Sequence, residues 1–477
     1  MAYGSPNTQR LYYALPWPLQ ELMTTAAGLR HRRAAYGRFF DAWFRHLQQT
    51  QFLSLEEQRP KAWERLKDIL DYSYRESPFY RQWFVRNGVH PGDIRCPEDL
   101  GALPLLTKEE VRRNELGLRT RPFLEGAGAR VVHTSGTTGK ALSLWISQEC
   151  YEREHAYRAL HYSWAGVRLG QRCAVFAGHP VVHVDHRTPP FWRRDWTENR
   201  LLFSAQHLFP KFASAYAEAL EGFQPEVVHG YPSVVSWAAA AVLKHRPGRV
   251  RPKAVFTASE TLLAPQRKLI ESAFGCKVYN WYGNGEHLGC ITECPLGSLH
   301  IQTEHSWLEF LDEAGKPAPR GTPAQLVATT LCNRAMPLVR YLVGDVIAPG
   351  DGTCACGRGG PLVESIAGRV EDYVVGAEGQ LFGRLDHIFK DAKAVAEAQI
   401  LQDRPGAIAI RLVRRPQYTE RDTDQLLAAA RFRLGKEFRI SFDFVEKIPR
   451  TRNGKIQFVR SSCPQTTSGI GLCAEPF

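Results

Sequence analysis

Apolar positions change their spacing from one part of the chain to the next. Up to about residue 75 they recur at helical intervals among aromatic and arginine residues, and Phe39, Phe40, Trp43, Phe44 and Leu47 fall on one stripe read as core-facing. Thr107 reads as an N-cap for a short helix over residues 108–113. Further on, strand-like runs at 129–132, 173–176, 227–228, 254–257 and 277–279 alternate with helix-like runs at 211–222 and 236–244. Such alternation predicts layered α/β structure. The glycine-rich stretch 342–360 reads as a loop or hairpin, and no internal repeat is visible. The expected fold is α/β: a large N-terminal domain of layered sheets and helices, with a small mobile α+β C-terminal domain. The divisions expected are a helical N-terminal segment (1–75), the large domain (76–367), the small domain (368–460) and a polar, flexible tail (461–477).

A chain of 477 residues has room for two or three domains, and 44% apolar with 23% charged residues is ordinary for a soluble globular protein. The net charge of +12 comes from scattered arginines with no long basic run. It therefore predicts a surface that favours anionic substrates such as nucleotides, with no nucleic-acid partner. No apolar run reaches the length of a membrane span, and the start Met1-Ala2-Tyr3-Gly4 lacks an apolar signal core, so stable membrane insertion is not expected. Eleven irregularly spaced cysteines fit reduced thiols in the cytoplasm, with a metal site as the exception.

The densest chemistry lies in Thr134-Ser135-Gly136-Thr137-Thr138-Gly139-Lys140, directly after a strand-like run. Glycines let the backbone approach a polyanion, turned N–H groups and hydroxyls form an anion nest, and a lysine adds point charge. Only Thr137 and Thr138 separate the glycines, which excludes a Walker A loop. A Ser/Thr/Gly-rich surface turn is the plainer reading. Two further segments, Ser259-Glu260-Thr261 and Tyr282-Gly283-Asn284-Gly285-Glu286, each follow a strand-like run, and ligands bind at strand ends in open α/β sheets. A tyrosine can stack on a purine, and a carboxylate can hold magnesium beside phosphates. Asp345, after Gly344 at a loop tip, can accept hydrogen bonds from ribose hydroxyls. Gly368-Arg369-Val370-Glu371-Asp372 and the Pro/Gly-flanked Lys455 complete the set. Taken singly, Asp345 could cap a turn, Arg369 could form a surface ion pair and Lys455 could be a loop charge.

Together and in this order, the five segments resemble the adenylate-forming superfamily over roughly residues 75–460. The nearer resemblance is to the phenylacetate–CoA ligase family and its CapK-like capsule-biosynthesis relatives. It is carried by Ser77-Pro78-Phe79-Tyr80, by 103–108, by Pro190-Phe191-Trp192, by Gly230-Tyr231-Pro232-Ser233 and by 383–388. The resemblance implies ATP-dependent activation of an aryl or other small organic acid to an acyl-adenylate, with release of pyrophosphate. Transfer to coenzyme A would follow, with an amine or hydroxyl acceptor as the alternative, in a monomer or homodimer. By the same resemblance, Thr134 to Lys140 would grip the pyrophosphate portion, and Glu260 and Tyr282 would border the adenine, with Ser259, Thr261 and Gly283 beside them as cofactor-binding positions. Glu286 would hold Mg2+, Asp345 the ribose, and Arg369 would lie near ribose or phosphate. Glu371 and Asp372 would form the hinge, Lys455 would be the adenylation lysine, and Tyr231, Pro232, Ser233 and Asn284 would border the acyl substrate. Two departures stand out: Asn284-Gly285 where small hydroxyl residues are usual, and Glu371 where aspartate is commoner. A non-catalytic ATP-binding scaffold on the same fold is the reading from another class.

Cys294, His300, Cys354 and Cys356 form a second group. Three thiolates and an imidazole suit tetrahedral structural zinc, with Cys290 as a substitute ligand, although free buried thiols are the alternative. His179, His183 and His186 have helical spacing, but Pro180, Val181 and Val182 oppose a helix, so a loop near the acyl site is expected.

Overall fold

The computed structural model describes residues 6–133, 142–366 and 374–463, apart from positions 180, 261, 263, 313, 380, 383, 384, 390, 391, 393 and 450–457. Helices come first, as the early spacing requires: Pro6–Ala14, Trp17–Ala35, Arg38–Thr50 and Leu55–Glu76. The aromatic stripe folds as the helix Arg38–Thr50, burying Phe40, Trp43 and Leu47 against the helix Gln148–Trp164. Thr107 caps Lys108–Arg113 with a reciprocal box, its N–H donating to the Glu110 carboxylate at 2.8 Å and its hydroxyl accepting the Glu110 N–H at 3.2 Å.

Among the described residues, twelve strands form one large sheet. Five are mutually parallel, in the order Val278–Tyr282, Ala254–Ala258, Val227–Gly230, Cys173–Phe176 and Arg200–Phe203. Their interiors are nearly all buried, which is why they read as short apolar runs without alternation. Past Val278–Tyr282 the sheet turns antiparallel through Ile291–Glu293, Leu299–Ile301 and Leu362–Ile366 to Tyr341–Pro349. The helices Pro232–His245 and Ala264–Phe274 cover the parallel half and share its apolar core.

A separate hairpin pairs Ala129–His133 with Ser143–Ser147, Ala129 opposite Ser147 and His133 opposite Ser143. The segment Thr134 to Lys140 joins these strands and lies outside the described residues. Near the C-terminus a four-stranded sheet, ordered Arg439–Phe444, Ala407–Arg414, Val395–Gln402 and Val459–Ser461, packs with the helix Glu420–Leu434 around its own core.

The glycine-rich stretch after Tyr341 is the hairpin of the two alternatives, with a long connection. Tyr341–Pro349 is a full strand, and Leu362–Ile366 returns beside it with Ile347 opposite Ile366. Asp345 therefore sits inside a strand and not at a loop tip. Gly344, at φ +88°, lies where the pairing with Ala324–Thr330 slips register between Gln325 and Val327. A glycine that reads as a turn signal serves here as a bulge. No helix among the described residues is long and apolar enough to cross a membrane.

Candidate functional site

The described site residues gather at the C-terminal ends of three adjacent parallel strands. After Val227–Gly230 the chain turns tightly into the helix Pro232–His245: a Cβ on Gly230 would meet the Phe176 carbonyl oxygen at 2.3 Å, and the Tyr231 N–H donates to that oxygen at 2.9 Å. Only glycine allows so close an approach. Pro232 stands in the first turn of the helix, where its missing N–H costs nothing. The Ser233 N–H then donates to Glu260 Oε2 at 3.0 Å, and the Ser233 hydroxyl pairs with Glu260 Oε1 at 3.1 Å. A carboxylate at a helix N-terminus is favoured by the dipole. Ser259, directly before Glu260, is held at φ +71°, a left-handed conformation that costs a non-glycine residue roughly 1–2 kcal/mol.

The third strand ends in Tyr282, whose hydroxyl donates to Asp345 Oδ2 at 2.7 Å. Burial, and then the Asp345 charge, push the Tyr282 phenol well above its ordinary value, so it remains a neutral donor. A Cβ on Gly283 would meet the Trp281 ring nitrogen at 2.7 Å, which excludes any larger residue without a shift of that ring. Asn284 closes the next turn: its amide nitrogen donates to the Leu288 carbonyl, and its Oδ1 accepts the Leu288 N–H at 2.9 Å. Glu286, within that turn, is 7% exposed, as is Asp345, and the Tyr341 hydroxyl donates to Glu286 Oε1 at 3.3 Å. Tyr282, Asp345, Glu286 and Tyr341 thus form one partly buried acidic and phenolic cluster.

Tyr341 is a partner that sequence reasoning passed over, although it stands four residues before Asp345. A second unforeseen group lies behind Trp281. Glu154, on the helix Gln148–Trp164, accepts a 2.8 Å hydrogen bond from His305 Nε2, and His287 and Arg158 stand nearby at 3.9 and 3.4 Å. Burial opposes ionisation of Glu154, but the His305 hydrogen bond and the surrounding positive charge outweigh it and hold the carboxyl far below its ordinary range. Thr261, Arg369, Glu371, Asp372 and Lys455 lie outside the described residues, as does Thr134 to Lys140.

The cysteine–histidine group assembles. The ligand atoms of Cys294, His300, Cys354 and Cys356 all lie within 4.8 Å of one another. The Sγ atoms of Cys294 and Cys354 are 3.7 Å apart, and Cys356 Sγ is 3.5 Å from His300 Nε2. Tetrahedral zinc, with bonds of about 2.3 Å to sulfur and 2.0–2.1 Å to nitrogen, needs edges of about 3.8 and 3.6 Å. For Cys354, burial is outweighed by hydrogen bonding with the Ser298 hydroxyl and the Cys356 N–H, which holds the thiol at about 7. Cys290 is buried but is not one of the four.

The His183 ring packs on Tyr13 and Phe432, and Asp185, two residues on, accepts the Lys436 N–H at 3.2 Å.

Residues 374–462 match the CapK C-terminal domain family. The chain is 26% identical over 462 residues to protein CapK of Staphylococcus aureus, covering 94% of this chain and 98% of that one. It is 29% identical over 339 residues to the phenylacetate–coenzyme A ligase of Thermus thermophilus, covering 68% and 73%. A crystal structure of 2-hydroxyisobutyryl-CoA ligase with 2-HIB-AMP and CoA superimposes with a TM-score of 0.59 at 18% identity, over 86% of this chain and 91% of that one. The chain is accordingly a homologue of protein CapK and the phenylacetate–coenzyme A ligases, built on the fold of the adenylate-forming CoA ligases.

Proposed function

We propose that this protein activates a small carboxylic acid with ATP, releasing pyrophosphate, and passes the acyl group from the acyl-adenylate to coenzyme A. The observation that carries the reading is the bond from Tyr282, at the end of a parallel strand, to Asp345, with Glu286 in the turn that follows the same strand; such strand ends are where open α/β sheets hold nucleotides. The named relatives support it. In the first step a carboxylate oxygen bonds to the α-phosphorus as the α–β phosphoanhydride bond breaks and pyrophosphate leaves. In the second, a thiolate bonds to the acyl carbon and AMP departs. Tyr282 and Gly283 are assigned to the adenine edge with Ser259, Glu260 and Thr261, Asp345 to the ribose, and Thr134 to Lys140 with Arg369 to the phosphates. Tyr231, Pro232, Ser233 and Asn284 are assigned to the acyl side. Glu286, an ionisable oxygen donor beside the Tyr341 hydroxyl, suits a hard cation; magnesium held there would neutralise phosphate charge. Lys455 serves the first step, and a turn about Glu371 and Asp372 removes it before the second.

The test is ATP–pyrophosphate exchange across a panel of carboxylic acids, followed by coenzyme A or amines added to the responsive acid. Acid-dependent exchange with thioester formation is expected. Exchange without thioester, but with amide or ester, would move the protein to the alternative acceptor class. No exchange with any acid would favour a scaffold.

The four-residue cysteine–histidine group is proposed as a structural zinc site, because four protein ligands leave no open position for chemistry. It ties the Cys294–His300 turn to the long connection after Pro349, against the aromatic stripe of Arg38–Thr50.

A further inference from the structure

Arg158 lies in the middle of the helix Gln148–Trp164, where Glu154, His155, Ala156, Tyr157, Ala159, Leu160 and His161 are all buried. Its own side chain is nevertheless 47% exposed. The groups around it are interior ones. Its guanidinium carbon stands 5.7 Å from the Trp281 ring centre, and its charge bears on Tyr151, His155, Tyr162, His229 and His287. Arg158 therefore leaves about half of its side chain to water although its neighbours are interior groups. These neighbours adjoin the strand ends already described, since Trp281 directly precedes Tyr282 and His229 directly precedes Gly230. A guanidinium carries five N–H donors. Among the described residues Arg158 makes one hydrogen bond, a long one of 3.4 Å to a Glu154 carboxylate that His305 already engages at 2.8 Å.

Much of the rest of the surroundings is aromatic. Tyr162 packs on Phe256 with ring centres 4.4 Å apart, and its hydroxyl hydrogen-bonds His229 Nδ1 at 2.8 Å. Burial, reinforced by the charge of Arg158, pushes His229 down to about 4 and His155 well below its ordinary value. Both imidazoles are neutral at pH 7, and the other cations nearby are Arg130, 4.6 Å from the Tyr151 ring centre, and Arg200, which stays paired with Asp195 and Glu198.

We propose that Arg158 is a specificity-determining residue that reads the far end of the acid, selecting an aromatic carboxylic acid whose ring carries an anionic or strongly hydrogen-bond-accepting oxygen group away from the reacting carboxylate. The ring lies among Trp281, Tyr162 and Tyr151, and the oxygen group accepts the N–H groups that Glu154 leaves over. The assignment rests on the adenylation reading above. A purely structural arginine would be expected to be buried against its carboxylate, with little surface left to water.

The experiment is acid-dependent ATP–pyrophosphate exchange on the full chain, with phenylacetate, 4-hydroxyphenylacetate and 4-carboxyphenylacetate as probes. It is run for the wild type, Arg158→Met and Arg158→Lys. The wild type is expected to favour an oxygen-bearing acid over phenylacetate by at least about tenfold in kcat/KM, because a site built to hydrogen-bond a polar group rejects the analogue that lacks it. Arg158→Met should erase most of that ratio through KM, and Arg158→Lys should restore part of it. A ratio of two acids measured on one preparation is insensitive to loss of folded protein. Preference of the wild type for phenylacetate, or an unchanged ratio in Arg158→Met, would overturn the role of Arg158 and leave adenylation standing. Absence of exchange with every carboxylic acid would overturn both.

Discussion

The Tyr282 hydroxyl donates a 2.7 Å hydrogen bond to the Asp345 carboxylate, joining the end of a parallel strand to the interior of an antiparallel one 63 residues further along. Both ends of this bond are assigned to the nucleotide, so the strand that presents the adenine edge and the strand that presents the ribose acid move together. Tyr282→Phe keeps the ring and removes the donor. It should destabilise the protein by about 1 kcal/mol, the usual net value of such a bond, and raise the KM for ATP several-fold. Urea unfolding and exchange kinetics read the two effects. Unchanged stability with unchanged KM would show that the bond matters to neither.

Purified protein should contain about one zinc per chain, as the four-ligand group requires. Cys356→Ser should lose the metal and lower the melting temperature, and a strong chelator should reproduce that shift in the wild type. Metal-free protein that melts and turns over like the wild type would refute the site.

Lys455→Ala should separate the two half-reactions. Negative charge builds on the phosphoryl oxygens as the acid attacks, and a preorganised cation stabilises that charge more than it stabilises bound substrates. Its loss should slow acid-dependent pyrophosphate release by ~10²–10³-fold. Transfer from supplied acyl-adenylate should stay near normal, because that step expels AMP with the lysine withdrawn. Equal slowing of both steps in a folded variant would remove the role.

Acid sensitivity should come partly from histidines outside the site. Burial pushes both His161 and His207 down to about 3, and the two side chains are 1% and 0% exposed. Their folded values lie below the unfolded value of about 6.5, so only the unfolded chain takes up these protons as the pH falls from 6.5 towards 3. Stability is therefore complete above that window and declines through it, by up to about 1.4 kcal/mol per pH unit for each histidine. His161→Gln keeps a donor for the Glu293 carbonyl, which His161 Nε2 reaches at 3.0 Å, and should flatten the slope by about one proton. Denaturant midpoints between pH 7 and 5 give the slope directly, and an unaltered slope would show that His161 titrates alike in both states.

The parallel strands were legible because they are buried on both faces and read as short apolar runs. The segment from Tyr282 to Glu286 was legible from its side-chain types and its place after a strand. Asp345 was misplaced because Gly344 reads as a turn, and nothing local distinguishes a turn glycine from one that absorbs a register slip across from Gln325. Arg158 and Glu154 were invisible for another reason. Charges four apart on a helix read as a solvated face, and only the sheet packed against them turns that face inward. The partner of Tyr341 likewise comes from distant sequence, 55 residues away.

Trp281 and Tyr282 are consecutive residues of one strand, and consecutive side chains of a strand point to opposite faces. Trp281 belongs to the cluster of Tyr157, Leu160 and Trp164, with Arg158 at its ring, whereas Tyr282 turns to Asp345. A single peptide unit thus divides the wall proposed for the acid from the wall assigned to the nucleotide. On these assignments, divergence at position 281 and on its facing helix would remake the choice of acid while position 282 keeps its bond to Asp345. An inserted or deleted residue in this strand would exchange the two walls and lose both at once.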